Sequence, residues 1–128
     1  MTGITVRPSG RSLGADIEGV DLSQPLDDAT FGQIIDAWAE HLVLRFRGQK
    51  LTDDQLAEFS ARFGALDDAP IPAAGTPQHD RRRDIAVISN IVEGDKPLGS
   101  LGNSELVWHQ DMSYKDLPPK ASILYGVE

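Results

Sequence analysis

His109 and Asp111 lie two residues apart in the stretch Leu106–Tyr114, directly after Trp108 and among residues that favour β-strands. Side chains alternate between the two faces of a strand, so this imidazole and carboxylate would point the same way, with Cα atoms roughly 6.5–7 Å apart. A His nitrogen and a carboxylate oxygen are two of the three ligands of the 2-His-1-carboxylate triad. That triad suits non-haem Fe(II) and leaves positions open for substrate and O2.

The pair alone does not distinguish a metal site from a surface hydrogen bond. Asp and Glu make up 20 of the 128 residues, so a His will often meet an acid two places on by composition alone. An exposed His–Asp pair on an edge strand is the competing interpretation. Of the other two His, His41 is predicted to end a helix, where it would interact with the helix dipole, and His79 lies in a predicted loop.

Composition excludes several classes of protein. A hydrophobic fraction of 40% over 128 residues is typical of one folded domain. A net charge of −8 argues against binding nucleic acid or an anionic membrane surface. The chain contains no Cys, which excludes disulfides and thiolate metal sites. Without a signal-peptide pattern or an apolar run of about 18 residues, we expect a cytoplasmic protein.

Two short strands and a helix are predicted at the start of the chain. Ile4–Arg7 and Gly14–Leu22 alternate apolar and polar residues, with Ala15, Ile17 and Gly19 on one face. Asp27 is a plausible helix N-cap. The apolar positions that follow have helical spacing and predict one buried stripe: Phe31, Ile34, Ile35, Trp38 and Leu42.

One strand and one further helix are predicted after that. Leu42–Arg47 has period two, with Arg45 and Arg47 on its polar face. Thr52–Gln55 has the form of a capping box and opens a helix that Gly64 ends; its apolar stripe is Leu56, Phe59 and Phe63.

The second half of the chain alternates loops with strands. A loop is predicted over residues 67–83 and another over 93–105. Ile85–Ile91 is apolar enough to predict a strand buried on both faces, and Ala121–Val127 predicts a last strand.

Four stretches together resemble the N-terminal half of a TauD/TfdA-family dioxygenase: Leu13–Leu22, Val43–Gln49, Phe59–Leu66 and Trp108–Tyr114. Pro118 and Pro119 before an apolar segment match as well. The resemblance implies an α+β fold, a partial double-stranded β-helix (a jelly roll, cupin-like) with two flanking helices. Residues 1–128 would then be the N-terminal part of a single dioxygenase domain.

The resemblance also implies a function. The family oxidises small organic substrates with O2, Fe(II) and the cosubstrate 2-oxoglutarate, which becomes succinate and CO2. His109 and Asp111 match the metal-ligand positions, and no other catalytic residue is expected in this chain. Binding to nucleic acid or membrane is not expected, whereas a homo-oligomer is possible in this family.

The family takes its second His ligand, a 2-oxoglutarate-binding Arg and a Gly-Gly-x-Thr turn from residues that would lie beyond Glu128. The chain is therefore expected to be a fragment or to be completed by another chain. Two alternatives stay open. One is a non-catalytic binding or assembly module derived from a dioxygenase half-fold. The other is a cupin-like enzyme that uses Zn or Mn.

Four residues match substrate-contact positions of the family: Ala69, Pro72, Glu105 and Met112. Ala69 stands where sulfonate-using relatives carry a His, and Glu105 stands where they carry an Asn. Both differences remove groups that favour an anion, and Glu105 would repel a sulfonate but attract an ammonium group. We therefore predict a small substrate other than taurine, with amines as the first candidates.

The isolated 128-residue chain is expected to have little or no 2-oxoglutarate turnover, because it supplies two metal ligands and no residues that bind the cosubstrate. Succinate formation with Fe(II), ascorbate and O2 is the measurement. Succinate above the level of a metal-free control would contradict this expectation.

In an enzyme that contains the whole domain, Glu105→Gln is expected to weaken the binding of small primary amines by about tenfold or more, the usual worth of a hydrogen bond to a charged group. Amine affinity is measured by titration, with Glu93→Gln as the matched control. Unchanged affinity in Glu105→Gln would remove the amine hypothesis.

Overall fold

The computed structural model describes residues 3–69, 82–97, 100–101 and 108–127. The chain forms two compact units, Met1–Leu56 and Ala57–Glu128. Two helices and seven short strands occur in the described part, in agreement with the predicted α+β class. In chain order they are β1 Thr5–Pro8, β2 Ala15–Glu18, α1 Asp28–His41, β3 Leu44–Arg45, α2 Asp53–Ala61, β4 Ile88–Ser89, β5 Val92–Glu93, β6 Lys96–Pro97 and β7 Ser100–Leu101.

A three-stranded mixed sheet with the order β1-β2-β3 lies in the first unit. Strand β2 is antiparallel to β1, with Ile17 opposite Val6, and parallel to β3. The predicted alternation is confirmed, because Ala15 is 5% exposed and Ile17 is 3% exposed. The strand is shorter than predicted and ends before Gly19, whose φ of +81° is a left-handed conformation outside the β-region.

Helix α1 packs on β2 and β3. It begins as predicted, because Asp27 Oδ1 accepts a hydrogen bond from the Thr30 N–H at 2.7 Å. Ile34 is fully buried, at 0% exposure. The predicted stripe is wrong at Leu42, which follows the last helical residue with a φ of +66° and is 62% exposed. A left-handed backbone at this position turns the side chain away from the helix's apolar face.

Strand β3 is limited to two residues where the sequence predicted Leu42–Arg47, but the predicted polar face is confirmed. Arg45 donates two hydrogen bonds to the Asp16 carboxylate, from Nε to Oδ1 at 2.5 Å and from Nη2 to Oδ2 at 2.9 Å. Arg47 Nε lies 3.9 Å from Oδ2 of the same carboxylate. The hydrogen bonds from Arg45, together with the positive charges of both arginines, lower the pKa of Asp16.

The amide of Gln49 joins the segment after β2 to the turn after β3. Its Oε1 accepts the Leu22 N–H at 2.8 Å, and its Nε2 donates to the Val20 carbonyl at 3.1 Å. These bonds satisfy backbone groups beside the buried Leu22, which is 7% exposed, where an unpaired polar group would be costly.

Helix α2 begins with the predicted capping box. The Gln55 N–H donates to Thr52 Oγ1 at 3.2 Å, and the Thr52 N–H donates to Gln55 Oε1 at 2.8 Å. Further along, the rings of Phe59 and Phe63 meet edge to face with centroids 5.3 Å apart, an arrangement that aromatic pairs favour. The predicted helix is therefore confirmed, but it ends at Ala61 rather than at Gly64, so Phe63 meets Phe59 from just beyond the helix.

The strand predictions for the second unit are largely wrong. Strand β4 is only two residues long and pairs in parallel with β7, and Ile88 and Ile91 are 57% and 45% exposed rather than buried. Ala121–Val127 has no strand pairing, and its Leu124 is 81% exposed. An apolar run becomes a buried strand only where other elements cover its faces, and the described residues do not cover these.

The loop predicted over residues 93–105 contains a short hairpin within its described part. Strands β5 and β6 pair antiparallel, and Gly94 takes a φ of +61° in the turn between them. Most of the loop predicted over residues 67–83 lies outside the described residues.

Neither described helix is both long and apolar enough to cross a lipid bilayer. Helix α1 has 14 residues, which at 1.5 Å per residue is about 21 Å and shorter than the roughly 30 Å hydrocarbon core.

Replacing Asp16 with Asn is expected to destabilise the chain at neutral pH and not in acid. The pKa of Asp16 is lower when folded, so its pairing with Arg45 stabilises the fold above the ordinary carboxyl pKa of 3.8. That stabilisation is lost as the pH falls through the lower, folded value. Thermal midpoints between pH 7 and pH 3 should show the gap to wild type closing on acidification. Asp36→Asn on the exposed face of α1 is the control. A gap that stays constant with pH would exclude the ion pair as its cause.

Candidate functional site

His109 and Asp111 meet in the described segment 108–127, within the second unit. His109 Nε2 lies 2.9 Å from Asp111 Oδ1. The predicted convergence of the two groups is therefore present, but the predicted strand is not. Residues 108–110 are irregular and residues 111–114 form a turn, which the Lys115 N–H closes by donating to the Met112 carbonyl at 3.0 Å. A turn brings the two groups together where strand alternation was expected to do so.

Met112, between Asp111 and the rest of this turn, has a φ of +51°. A left-handed backbone costs a residue with a side chain about 1–2 kcal/mol. Such conformations cluster at functional sites, where surrounding structure holds them in place. Here the strained residue directly follows the carboxylate of the candidate pair.

The pair lies open to solvent. The side chains of His109 and Asp111 are 62% and 55% exposed. An ion pair at such exposure contributes little to stability. In the described part of the chain, no group of three or more His, Asp and Glu side chains is placed to hold a metal ion.

Ser122 is a contact that the sequence did not predict. Its Oγ donates a hydrogen bond to Asp111 Oδ2 at 3.0 Å. The two oxygens of the carboxylate therefore have different partners: Oδ1 faces the imidazole and Oδ2 accepts the hydroxyl. No periodicity or motif links positions 111 and 122, so sequence patterns carry no signal for this bond.

The turn is also tied to the segment that follows α2. Lys115 Nζ donates to Asp67 Oδ2 at 2.6 Å. This hydrogen bond and the positive charge of Lys115 lower the pKa of Asp67. The link joins residues 48 positions apart in sequence, and it connects the candidate pair to the part of the chain that carries Ala69.

The predicted substrate residues are only partly described. Ala69 is half-buried, and its N–H donates to the Arg83 carbonyl at 2.7 Å. Met112 is half-buried within the turn. Pro72 and Glu105, as well as His79, lie outside the described residues. His41 is the last residue of α1, as predicted.

A shallow depression of about 450 Å³ in the same unit is lined by Leu66, Asp68, Arg82, Arg83 and Asp84. Arg82 and Asp84 pair across it through two hydrogen bonds, at 2.8 Å and 2.5 Å. Among the described residues, those predicted to bind metal or substrate (Ala69, His109, Asp111 and Met112) do not line it.

Three known proteins are similar to this chain, one in sequence and two in structure. An α-ketoglutarate-dependent sulfate ester dioxygenase of Pseudomonas putida is 36% identical over 124 residues, which are 97% of this chain and 37% of that enzyme. A taurine dioxygenase from Burkholderia xenovorans superposes with a TM-score of 0.51 and 35% identity, over 58% of this chain and 27% of that one. AAD-2 in complex with Mn(II) and N-oxalylglycine superposes with a TM-score of 0.50 and 30% identity, over 52% and 24%.

The chain spans only 32–41% of the length of four curated relatives that it matches. The family model for taurine catabolism dioxygenases, the TauD, TfdA family, matches residues 5–128, which are nearly the whole chain. The chain therefore belongs to the TauD/TfdA dioxygenase family.

Proposed function

We propose that this chain is the N-terminal part of an Fe(II)- and 2-oxoglutarate-dependent dioxygenase that oxidises a small organic substrate. In this proposal His109 and Asp111 are two of the three protein ligands of the metal. The observation that carries it is the 2.9 Å approach of His109 Nε2 to Asp111 Oδ1, in a chain whose family consists of dioxygenases.

The separation of the two atoms fits adjacent ligands of one octahedral ion. Nitrogen and oxygen ligands bind divalent metals of this size at about 2.0–2.2 Å. Two such ligands at right angles are then about 3 Å apart, close to the observed 2.9 Å. The donors are also of the right kind, since an imidazole nitrogen and a carboxylate oxygen belong to the triad that suits non-haem Fe(II).

The chain's own part in the chemistry would be orientation. His109 would hold the metal through an imidazole nitrogen and Asp111 through a carboxylate oxygen, and other residues would supply a third ligand. When bound, the metal and 2-oxoglutarate supply the oxidation itself. Two observations on similar proteins support 2-oxoglutarate as the cosubstrate. One is the sulfate ester dioxygenase, which is named α-ketoglutarate-dependent. The other is N-oxalylglycine in the AAD-2 complex, a compound that differs from 2-oxoglutarate by an NH in place of one methylene.

We further propose that residues 1–128 form part of a single jelly-roll domain that other residues complete. Large apolar side chains are uncovered in the segment around the candidate pair. Trp108 is fully exposed, Leu117 is 86% exposed and Val127 is 83% exposed. Large apolar side chains exposed to this degree fit a surface that other residues cover, and the relatives are more than twice as long as this chain. The rest of the domain would cover this surface and bring the second His.

The substrate class has two candidates. The glutamate at position 105 favours an amine. The 36% identity to a sulfate ester dioxygenase supports an anionic ester instead. Both are small organic molecules, so a panel with members of each class separates them.

A non-catalytic module is the second candidate function. One observation favours it: His109 and Asp111 already satisfy each other through a hydrogen bond, as an exposed pair without a metal would. A cupin-like site for Zn or Mn would use the same two donors. Metal selectivity among Fe(II), Zn(II) and Mn(II) distinguishes that case.

Metal binding by an enzyme that contains the whole domain tests the pair directly. Co(II), a spectroscopically visible substitute for Fe(II), is titrated anaerobically and followed by calorimetry and visible absorption. His109→Ala and Asp111→Ala are each expected to weaken binding by about tenfold or more, since each removes a ligand. His79→Ala and Asp116→Ala are the matched controls and should bind as wild type does.

Two outcomes contradict the proposal. The first is a wild-type enzyme with the whole domain that binds no Co(II). The second is binding that both ligand substitutions leave unchanged. Either result would favour the non-catalytic module.

A further inference from the structure

The Asp111 carboxylate is held on the side that faces away from His109. Ser122 Oγ donates to Oδ2 at 3.0 Å, whereas Oδ1 lies 2.9 Å from the imidazole Nε2. A carboxylate on a single Cβ–Cγ bond rotates broadly when nothing holds it. A hydrogen bond to one oxygen restricts that rotation and fixes where the other oxygen points.

Two prolines shortly before Ser122 restrict the backbone that leads to it. Pro118 and Pro119 precede it and are both half-buried. Each proline ring fixes φ, and the second also restricts the residue before it. At the other end of the turn, Lys115 is held by its hydrogen bond to Asp67. The backbone that leads from the turn to Ser122 is therefore restricted at Lys115 and at the two prolines.

We propose that Ser122 is the positioning residue for Asp111: it occupies Oδ2 and directs Oδ1 at the metal, so that Asp111 binds through one oxygen. This inference rests on the proposed function, because it assigns Ser122 a role toward the metal that His109 and Asp111 would hold. Hydrogen bonds that orient metal-binding carboxylates tune metal affinity, and their loss costs about 10–100-fold. Because Asp111 is 55% exposed, water can partly replace the hydroxyl, and the lower end of that range is expected.

The test uses Ser122→Ala and Ser122→Thr in the enzyme that contains the whole domain. Ser122→Ala is expected to weaken Co(II) binding by about tenfold and to change the visible absorption of the bound ion, because the carboxylate can then turn. Ser122→Thr keeps the hydroxyl and should bind within about twofold of wild type. Ser113→Ala, an exposed hydroxyl in the same turn, is the matched control and should have no effect.

A double-mutant cycle separates positioning from a general structural effect. If Ser122 acts through Asp111, Ser122→Ala should change the residual Co(II) affinity of Asp111→Ala by less than about twofold, because coupled residues are not additive. Thermal midpoints without metal show whether each variant folds. Should Ser122→Ala fail to fold, Ser122→Cys keeps the size and weakens the donor, with an intermediate loss expected.

The inference is overturned if Ser122→Ala binds Co(II) as wild type does while Asp111→Ala does not; the proposed function would then stand. It is also overturned if the loss in Ser122→Ala persists unchanged in the Asp111→Ala background or is not restored by Ser122→Thr. If Asp111→Ala itself binds as wild type does, the proposed function fails instead.

Discussion

The proposed metal site depends on the contact between His109 Nε2 and Asp111 Oδ1, which lie 2.9 Å apart. It is formed within three consecutive residues, so it does not require a sheet to align it. The turn that forms it carries a left-handed Met112 and is closed by the Lys115 N–H. The ion pair between Lys115 and Asp67 then holds the turn against the segment after α2. Local backbone geometry creates the pair, and longer-range polar contacts keep it in place.

The parts of the fold that the sequence predicted well are those governed by neighbours along the chain. Asp27 caps α1, and Thr52 and Gln55 cap α2, because each side chain reaches a backbone group three residues away. The inward face of β2 follows from strict alternation at Ala15 and Ile17. The spacing of His109 and Asp111 made them a candidate pair, and the family resemblance of Trp108–Tyr114 gave them metal-ligand positions. The shape of the backbone between them could not be predicted.

The parts that the sequence predicted poorly depend on residues far away along the chain. Ile85–Ile91 and Ala121–Val127 have the composition of buried strands, yet a strand needs partners on its edges and cover on its faces. Ser122 reaches Asp111 across 11 positions and Lys115 reaches Asp67 across 48, and neither pair lies within one helix or one strand. The prediction for the end of α1 was wrong for a different reason. Leu42 fits the apolar spacing, but its backbone adopts the conformation of the helix C-cap.

The two tryptophans of the chain differ sharply in their surroundings. Trp38 is half-buried and donates its indole N–H to the Leu42 carbonyl at 3.1 Å, whereas Trp108 is fully exposed beside the metal-binding candidate. Indole emission shifts to shorter wavelength in apolar surroundings and is quenched by collision with dissolved iodide only where iodide can reach it. The fluorescence of Trp38 therefore reports on the unit that contains α1. The fluorescence of Trp108 reports on any group that packs beside His109.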